Sequence, residues 1–267
     1  MGNAKQIVVR PIDAADARRV IQAVHYSGKV VQNSTLHMGV FYLGRLEGAM
    51  QFGSPLDRRK VLPLVRGTLW NQMLELNRMA FGEALPRNSE SRALGVAFRV
   101  MRKHRPDIKW ILSFSDATQC GDGTIYRASG FVLTQIKESG NLARLPSGEV
   151  IHKMTLESNT TRPRPELGGR SYANVAGGSY DFDAYCRAAK ATVVPGYQLR
   201  YIRFIDPEWA TRLTVPVIPF DQIPAACRMY RGEKTGAGPE RGAPDQGAKG
   251  GADPTPALHS HEVTDGR

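Results

Sequence analysis

The chain has 267 residues, 41% of them hydrophobic and 23% charged, which is ordinary for a globular protein and enough apolar material for a full core. No apolar run approaches 18 residues and no h-region opens the chain, which argues against a membrane span or a signal peptide; three widely spaced cysteines (Cys120, Cys186, Cys227) make neither a disulfide framework nor a zinc knuckle and suit reduced cytoplasmic thiols. Lys and Arg outnumber Asp and Glu by 36 to 25, and the tail from Arg231 is slightly acidic, so the excess charge lies on residues 1–230 and favours a polyanionic partner, most often nucleic acid.

In chain order, residues 6–11 (QIVVRP) read as a strand. Residues 12–27 read as a helix: Asp13 is placed to cap it, and Ile12, Ala17, Val20, Ile21 and Val24 fall at helical spacing. Residues 36–53 carry two β-rich runs about a turn at Leu43-Gly44-Arg45, a hairpin. Residues 74–81 (LELNRMAF) are a strand. Residues 91–104 are a helix with Leu94, Ala97, Phe98 and Met101 on one face, ended by Pro106. Residues 108–116 (IKWILSFSD) are a buried strand ending in an acid, and 123–130 a short helix closed by Gly130. Residues 131–138 and 150–156 read as strands, 155–185 as a long Gly/Ser/Arg/Tyr-rich loop, and 197–220 as a closing strand pair. Residues 231–267, rich in Gly and Pro and without apolar periodicity, read as a disordered tail. The order predicts one α/β domain over 1–230, a mixed central sheet flanked by helices.

Two features resemble the GNAT N-acyltransferases: the strand-to-helix opening VVRPIDAADARRVI (8–21), and TIYRASGF (124–131), which looks like that fold's last helix and its Tyr-x-x-x-Gly-Phe ending. The interior is more specific. HYSG (25–28), FGSPL (52–56), ELNR (75–78), PRNSES (86–91), SFSD (113–116), GTIYRASGF (123–131) and LRYIRFIDPEWATRLTVPVIP (199–219) together resemble the bacteriophage Mom family, in order, over most of residues 20–220. The resemblance implies a GNAT-like fold and an enzyme that adds a carbamoylmethyl group to the exocyclic amine of adenine in double-stranded DNA, shielding phage DNA from restriction enzymes in the host cytoplasm. It assigns no donor for that group, and it allows a homodimer.

The loop at 86–91 bears on the rival reading, an acetyl-CoA-dependent N-acetyltransferase acting on a small amine. Cofactor loops of that class use glycines so that backbone amides approach a pyrophosphate at a helix N-terminus. This loop has none, which disfavours acetyl-CoA. A third reading is a non-enzymatic DNA-binding phage protein.

Six residues are candidates for catalysis: His25 and Tyr26 at the end of the first helix, Arg78 at the end of a central strand, Ser91 at the start of the next helix, Asp116 at a strand's C-terminal end, and Tyr126 one turn into a helix. Strand C-terminal ends are where sites form in open α/β sheets. A buried-strand arginine needs an anionic partner. Capping and packing are the structural uses of Ser91, Asp116 and Tyr126. His25, Asp116 and Tyr126 make a nitrogen–oxygen–oxygen donor set, and the resemblance implies iron there; acid–base work is the competing use. Arg58, Arg59, Lys60, Arg99, Arg102, Lys103, Arg105 and Lys109 are candidate DNA backbone contacts, and Trp70, Phe52 and Phe114 candidates for stacking a flipped base.

Overall fold

The computed structural model describes residues 3–25, 30–117, 122–177 and 181–224, with the backbone of 229–230 and 233–234. The first strand, β1 (Val8–Pro11), leads into α1 (Ala14–Val24). Strands β2 (Ser34–Tyr42) and β3 (Arg45–Gly53) form the expected hairpin. Its two-residue turn puts both Leu43 (φ 48°) and Gly44 (φ 80°) in the left-handed region, the primed geometry that matches strand twist. A one-turn helix, α2 (Arg58–Val61), precedes β4 (Met73–Phe81), then α3 (Ser89–His104) and β5 (Trp110–Asp116). Helix α4 (Thr124–Ala128) and β6 (Val132–Arg144) follow. After β7 (Val150–His152) come α5 (Lys153–Glu157), α6 (Tyr172–Val175) and α7 (Phe182–Ala189), and β8 (Thr192–Phe204) returns to the sheet.

The eight strands lie in the order β1-β2-β3-β4-β5-β8-β6-β7. Every pairing is antiparallel except β4 with β5. A parallel pair needs a crossover, and α3 supplies it. Its apolar stripe (Ala93, Leu94, Ala97, Phe98, Met101) buries against Leu74, Leu76, Ile111 and Leu133 on one face of the sheet. Helix α1 covers the other face, setting Ala17, Val20 and Ile21 against Ala49 and Ala80. On that same face, next to α1, Val61, Leu64, Val65 and Trp209 pack over Met73, Trp110, Leu112 and Ile202. Among the described residues no helix is long and apolar enough to cross a membrane.

Several elements differ from the sequence pattern. Residues 150–156 split into a three-residue strand and a helix, because His152 Nδ1 accepts the amide of Met154 at 3.0 Å and caps α5. Residues 155–185 are no long loop: α5, α6 and α7 enclose a second core of Leu145, Ile151, Leu156, Leu167, Tyr172, Phe182 and Tyr185. Residues 213–220 are not a strand. Pro216 and Pro219 remove two donors, and single bridges, Val65 to Leu213 and Leu133 to Ile218, pin the segment instead. So β8 has no closing partner there; it lies between β5 and β6. Asp13 does stand at the N-cap of α1, but its side chain makes no capping bond. The tail from 231, read as disordered, falls outside the described residues apart from Glu233–Lys234, whose backbone pairs with Met229–Tyr230.

Candidate active site

Strands β4 and β5 share only three register pairs: Met73 with Trp110, Leu74 with Ile111, and Glu75 with Leu112. Beyond these, β4 continues to Phe81 and β5 to Asp116 without pairing to each other. The sheet therefore opens between them, at the C-terminal ends. One cause lies in β4. Phe52 pairs with Leu76 and Gln51 with Arg78, so Asn77 is an extra residue, a β-bulge that bends the strand.

The bulge also resets the side-chain alternation. In a regular strand Glu75 and Arg78, three apart, face opposite sides. Here Leu76 and Met79 belong to the α3 face and Ala80 to the α1 face, so Glu75 and Arg78 both fall on the α1 face. His25 reaches the same place as the C-cap of α1, its amide held by the Ile21 carbonyl at 2.9 Å. By alternation from Trp110 and Leu112, Asp116 joins this face too. At about 3.3 Å per residue it stands roughly 13 Å beyond the last β4–β5 pair.

Electrostatics here are set by burial and by Arg78. Burial, helped by the Arg78 cation, lowers His25 from 6.5 to about 4, so its imidazole is neutral at physiological pH. Burial raises Glu75 from 4.5 to about 7, although Arg78 and a hydrogen bond from Asn77 pull it down. Arg78 also donates to the Asn77 carbonyl at 2.7 Å. Beside it Gln51 is fully buried; its Nε2 meets His37 Nδ1 at 3.2 Å while its Oε1 has no protein partner.

The α3 face carries a different set. Ser113 donates to the Tyr126 hydroxyl at 3.1 Å, and the Tyr126 ring stacks on Tyr201 at 4.7 Å. Ser115 is buried, its hydroxyl without a protein partner. Helix α3 begins two residues before Ser91. The Ser91 hydroxyl is within the first turn and donates to the Asn88 carbonyl at 3.3 Å, so it is not the cap; that position belongs to Asn88 at φ 69°. The six catalytic candidates are thus divided. His25, Arg78 and Asp116 share one face of the opening, Tyr126 and Ser91 belong to the other, and Tyr26 lies outside the described residues.

The basic candidates are divided as well. Arg105 forms a two-bond pair with Asp107 at 2.9 and 2.7 Å, Lys109 pairs with Asp206 at 3.1 Å, and Arg102 donates to the Ile205 carbonyl at 3.0 Å. Arg58, Arg59, Arg99 and Lys103 are exposed; Lys60, also exposed, pairs with Asp57 at 3.1 Å. Phe52 is sealed in the core and stacks no base, and Arg58 lies over the Trp70 ring at 5.1 Å.

A family model described as the Mom protein family matches residues 6–222. The chain belongs to the Mom family. A Mom relative, "Methylcarbamoylase mom" of Escherichia phage Mu, is 34% identical over 224 residues, covering 83% of this chain and 85% of its own length. Among solved structures, a GNAT family acetyltransferase from Elizabethkingia anophelis aligns with 74% of this chain and 98% of its own, at 12% identity and a TM-score of 0.38. The ribosomal-protein-S18-alanine N-acetyltransferase of Escherichia coli covers the same share of this chain and 94% of its own, at 10% identity and 0.39. A likeness of that depth says nothing about chemistry. The expected mixed α/β sheet flanked by helices is the one observed.

Two residues escape a reading of the Mom-like blocks. Glu75 opens the ELNR block and Gln51 precedes FGSPL, but both read as ordinary strand residues. Their interest comes from burial and from the register shift at Asn77, which only the pairing of β3 with β4 reveals.

Proposed function

We propose that this chain is a phage DNA-modifying enzyme that adds a carbamoylmethyl group to the exocyclic amine of adenine. Membership of the Mom family, with a relative named methylcarbamoylase at 34% identity over 83% of the chain, carries the reading. The opening between β4 and β5 is compatible with it. A base presented on the α1 face meets a neutral imidazole, a guanidinium and a carboxylate together, which can orient an amine by hydrogen bonds given and received. In this reading Tyr126, which meets Ser113 on the other face, moves a proton at the departing side of the donor. The reaction takes place where phage DNA is, in the host cytoplasm.

Iron fits these residues poorly. His25, at the end of α1, and Asp116, at the end of β5, belong to one face of the sheet and the Tyr126 hydroxyl is engaged on the other, while the Arg78 charge beside His25 opposes a second cation. The same side chains suit acid–base work. Acetyl-CoA is the weaker donor: the first turn of α3 is led by Asn88, Ser89 and Glu90, with no glycine to let backbone amides close on a pyrophosphate.

Nucleoside mass spectrometry tests the function. Plasmid DNA from cells expressing the full chain is expected to contain carbamoylmethyl-deoxyadenosine and to resist restriction enzymes. Unmodified adenine alongside abundant folded protein overturns the reading. Acetylated small amines formed from acetyl-CoA would establish the N-acetyltransferase instead.

A further inference from the structure

We infer that Glu75 accepts the proton released by the adenine amine, and that Asn77 and Ser34 hold it in position. The inference rests on the carbamoylmethyl-transfer reading above. Glu75 is the last β4 residue in register with β5, so its side chain stands where the two strands part. The bulge at Asn77 puts it on the α1 face, close enough to Arg78 to feel its charge. Its antiparallel neighbour on β3 is Gly53, which contributes no side chain. A Cβ there would run into the Asn33 carbonyl and lie 2.6 Å from Asn77 Oδ1 and from Ser34 Cα. That close packing clamps Asn77: its Oδ1 accepts from Ser34 Oγ at 3.1 Å while its amide donates to the Glu75 carboxyl. One bond from Asn77 uses only part of a carboxylate's acceptor capacity, and an amine hydrogen can take another place.

Burial supplies the matching basicity. A carboxyl raised to about 7 binds a proton near neutral pH and releases it again, which is what a general base that turns over requires. His25, lowered to about 4, is too weak a base to hold that proton at the same pH. The donor is of the class X–CH2–CO–NH2, where X is a leaving group. The adenine nitrogen forms a bond to the methylene carbon. The carbon–X bond breaks and X departs with its electron pair. The N–H bond breaks, nitrogen keeps the pair, and the proton passes to the Glu75 carboxylate.

The test uses lysates of cells expressing the full chain, which supply the donor, with added plasmid DNA and nucleoside mass spectrometry across about pH 5.5 to 9. The unmodified chain is expected to gain rate as pH rises through about 7 and then level off. Glu75→Gln should lose that rise and fall by roughly a hundred-fold or more, the usual scale for removing a general base. Asn77→Ala, which removes a bond that lowers the Glu75 proton affinity, should move the rise to higher pH. If Glu75→Gln fails to fold by circular dichroism, the Asn77→Ala profile decides: an unmoved rise overturns the inference. A folded Glu75→Gln protein that keeps the rise and works within a few-fold of the original also overturns it. Absence of product with the unmodified chain overturns the functional reading, and this inference with it.

Discussion

Arg78 acts on two neighbours that titrate in opposite senses, and the folding stability should record both. His25 is lowered from 6.5 to about 4. Between those values the unfolded chain binds a proton that the folded chain refuses, so this residue makes stability fall as pH drops from 6.5 to 4. Glu75 is raised from 4.5 to about 7. Between those values the folded chain keeps a proton the unfolded chain has lost, so this residue makes stability fall as pH rises from 4.5 to 7. The windows overlap and the slopes oppose. Urea unfolding midpoints compared with the unmodified chain should therefore shift in opposite ways over that overlap. Glu75→Gln should gain a slope rising with pH, and His25→Gln a slope falling with pH. Slopes of the same sign in both variants would show that the two side chains are not held in the same buried field. At this scale the position of Asp116 at a strand end was legible, because hydrophobic runs show where strands stop, whereas Arg78, expected at the end of its strand, lies three residues before the end of β4. Glu75 was not, since an extra residue in a strand leaves no trace in a period-two pattern.

The bulge in β4 depends on a neighbour without a side chain. Gly53→Ala is expected to cost about 1–3 kcal/mol, the range for forcing atoms into a packed site, because the Asn33–Ser34 backbone blocks the new methyl. It should also reduce adenine modification by displacing Asn77. Chemical denaturation and nucleoside mass spectrometry measure the two effects, and an unchanged midpoint would show that the Asn33–Ser34 segment yields freely. Elements with strong periodicity, α3 and the β2–β3 hairpin, are legible nearly to their ends. The segment between β6 and β8 is not, because its helices are short. Their apolar residues make sense only against one another: Tyr172 and Tyr185 meet edge to face at 5.9 Å, and Phe182 stacks on Tyr185. Caps hold such short helices. Asp181 accepts the amides of Asp183 at 2.9 Å and Ala184 at 3.0 Å, and Asp181→Ala should destabilise this region by about 1 kcal/mol. Amide hydrogen exchange is expected to speed up in α7 and leave α3 unchanged; equal acceleration in both would mean that the second core does not open by itself.

On the scale of the whole molecule, the positive charge and the opening must be considered together. Helix α3 has 16 residues, about 24 Å, and as a crossover it runs back from the C-terminal end of β4 to the start of β5. Arg102, Lys103, Arg105 and Lys109 therefore lie at the end of the sheet away from the opening, and three of the four already bind groups within the chain. The sequence could not show this, since Lys109 and its partner Asp206 are 97 residues apart. A second basic group lies on the α1 face. Arg58 and Arg59 are exposed on α2, and Arg66 and Arg212 are exposed side by side, the Arg66 amide donating to the Arg212 carbonyl at 2.8 Å. Their segments pack over Met73, Trp110 and Leu112 on the α1 face, two residues along β4 from Glu75. Arg58 lies over Trp70 at 5.1 Å and Arg212 over Trp209 at 4.3 Å, stacking that reduces the entropy cost when a guanidinium meets a phosphate. Duplex DNA crossing this face would present a base to the opening while its backbone rests on these arginines. Replacing Arg66 and Arg212 with Ala should weaken DNA binding for all sequences and flatten the log–log salt dependence by about 0.9 for each phosphate no longer neutralised. Replacing Lys103 and Arg105 should leave that slope unchanged. Fluorescence anisotropy at several salt concentrations separates the two surfaces, and a flattened slope in the Lys103/Arg105 variant alone would place the duplex at the far end of α3.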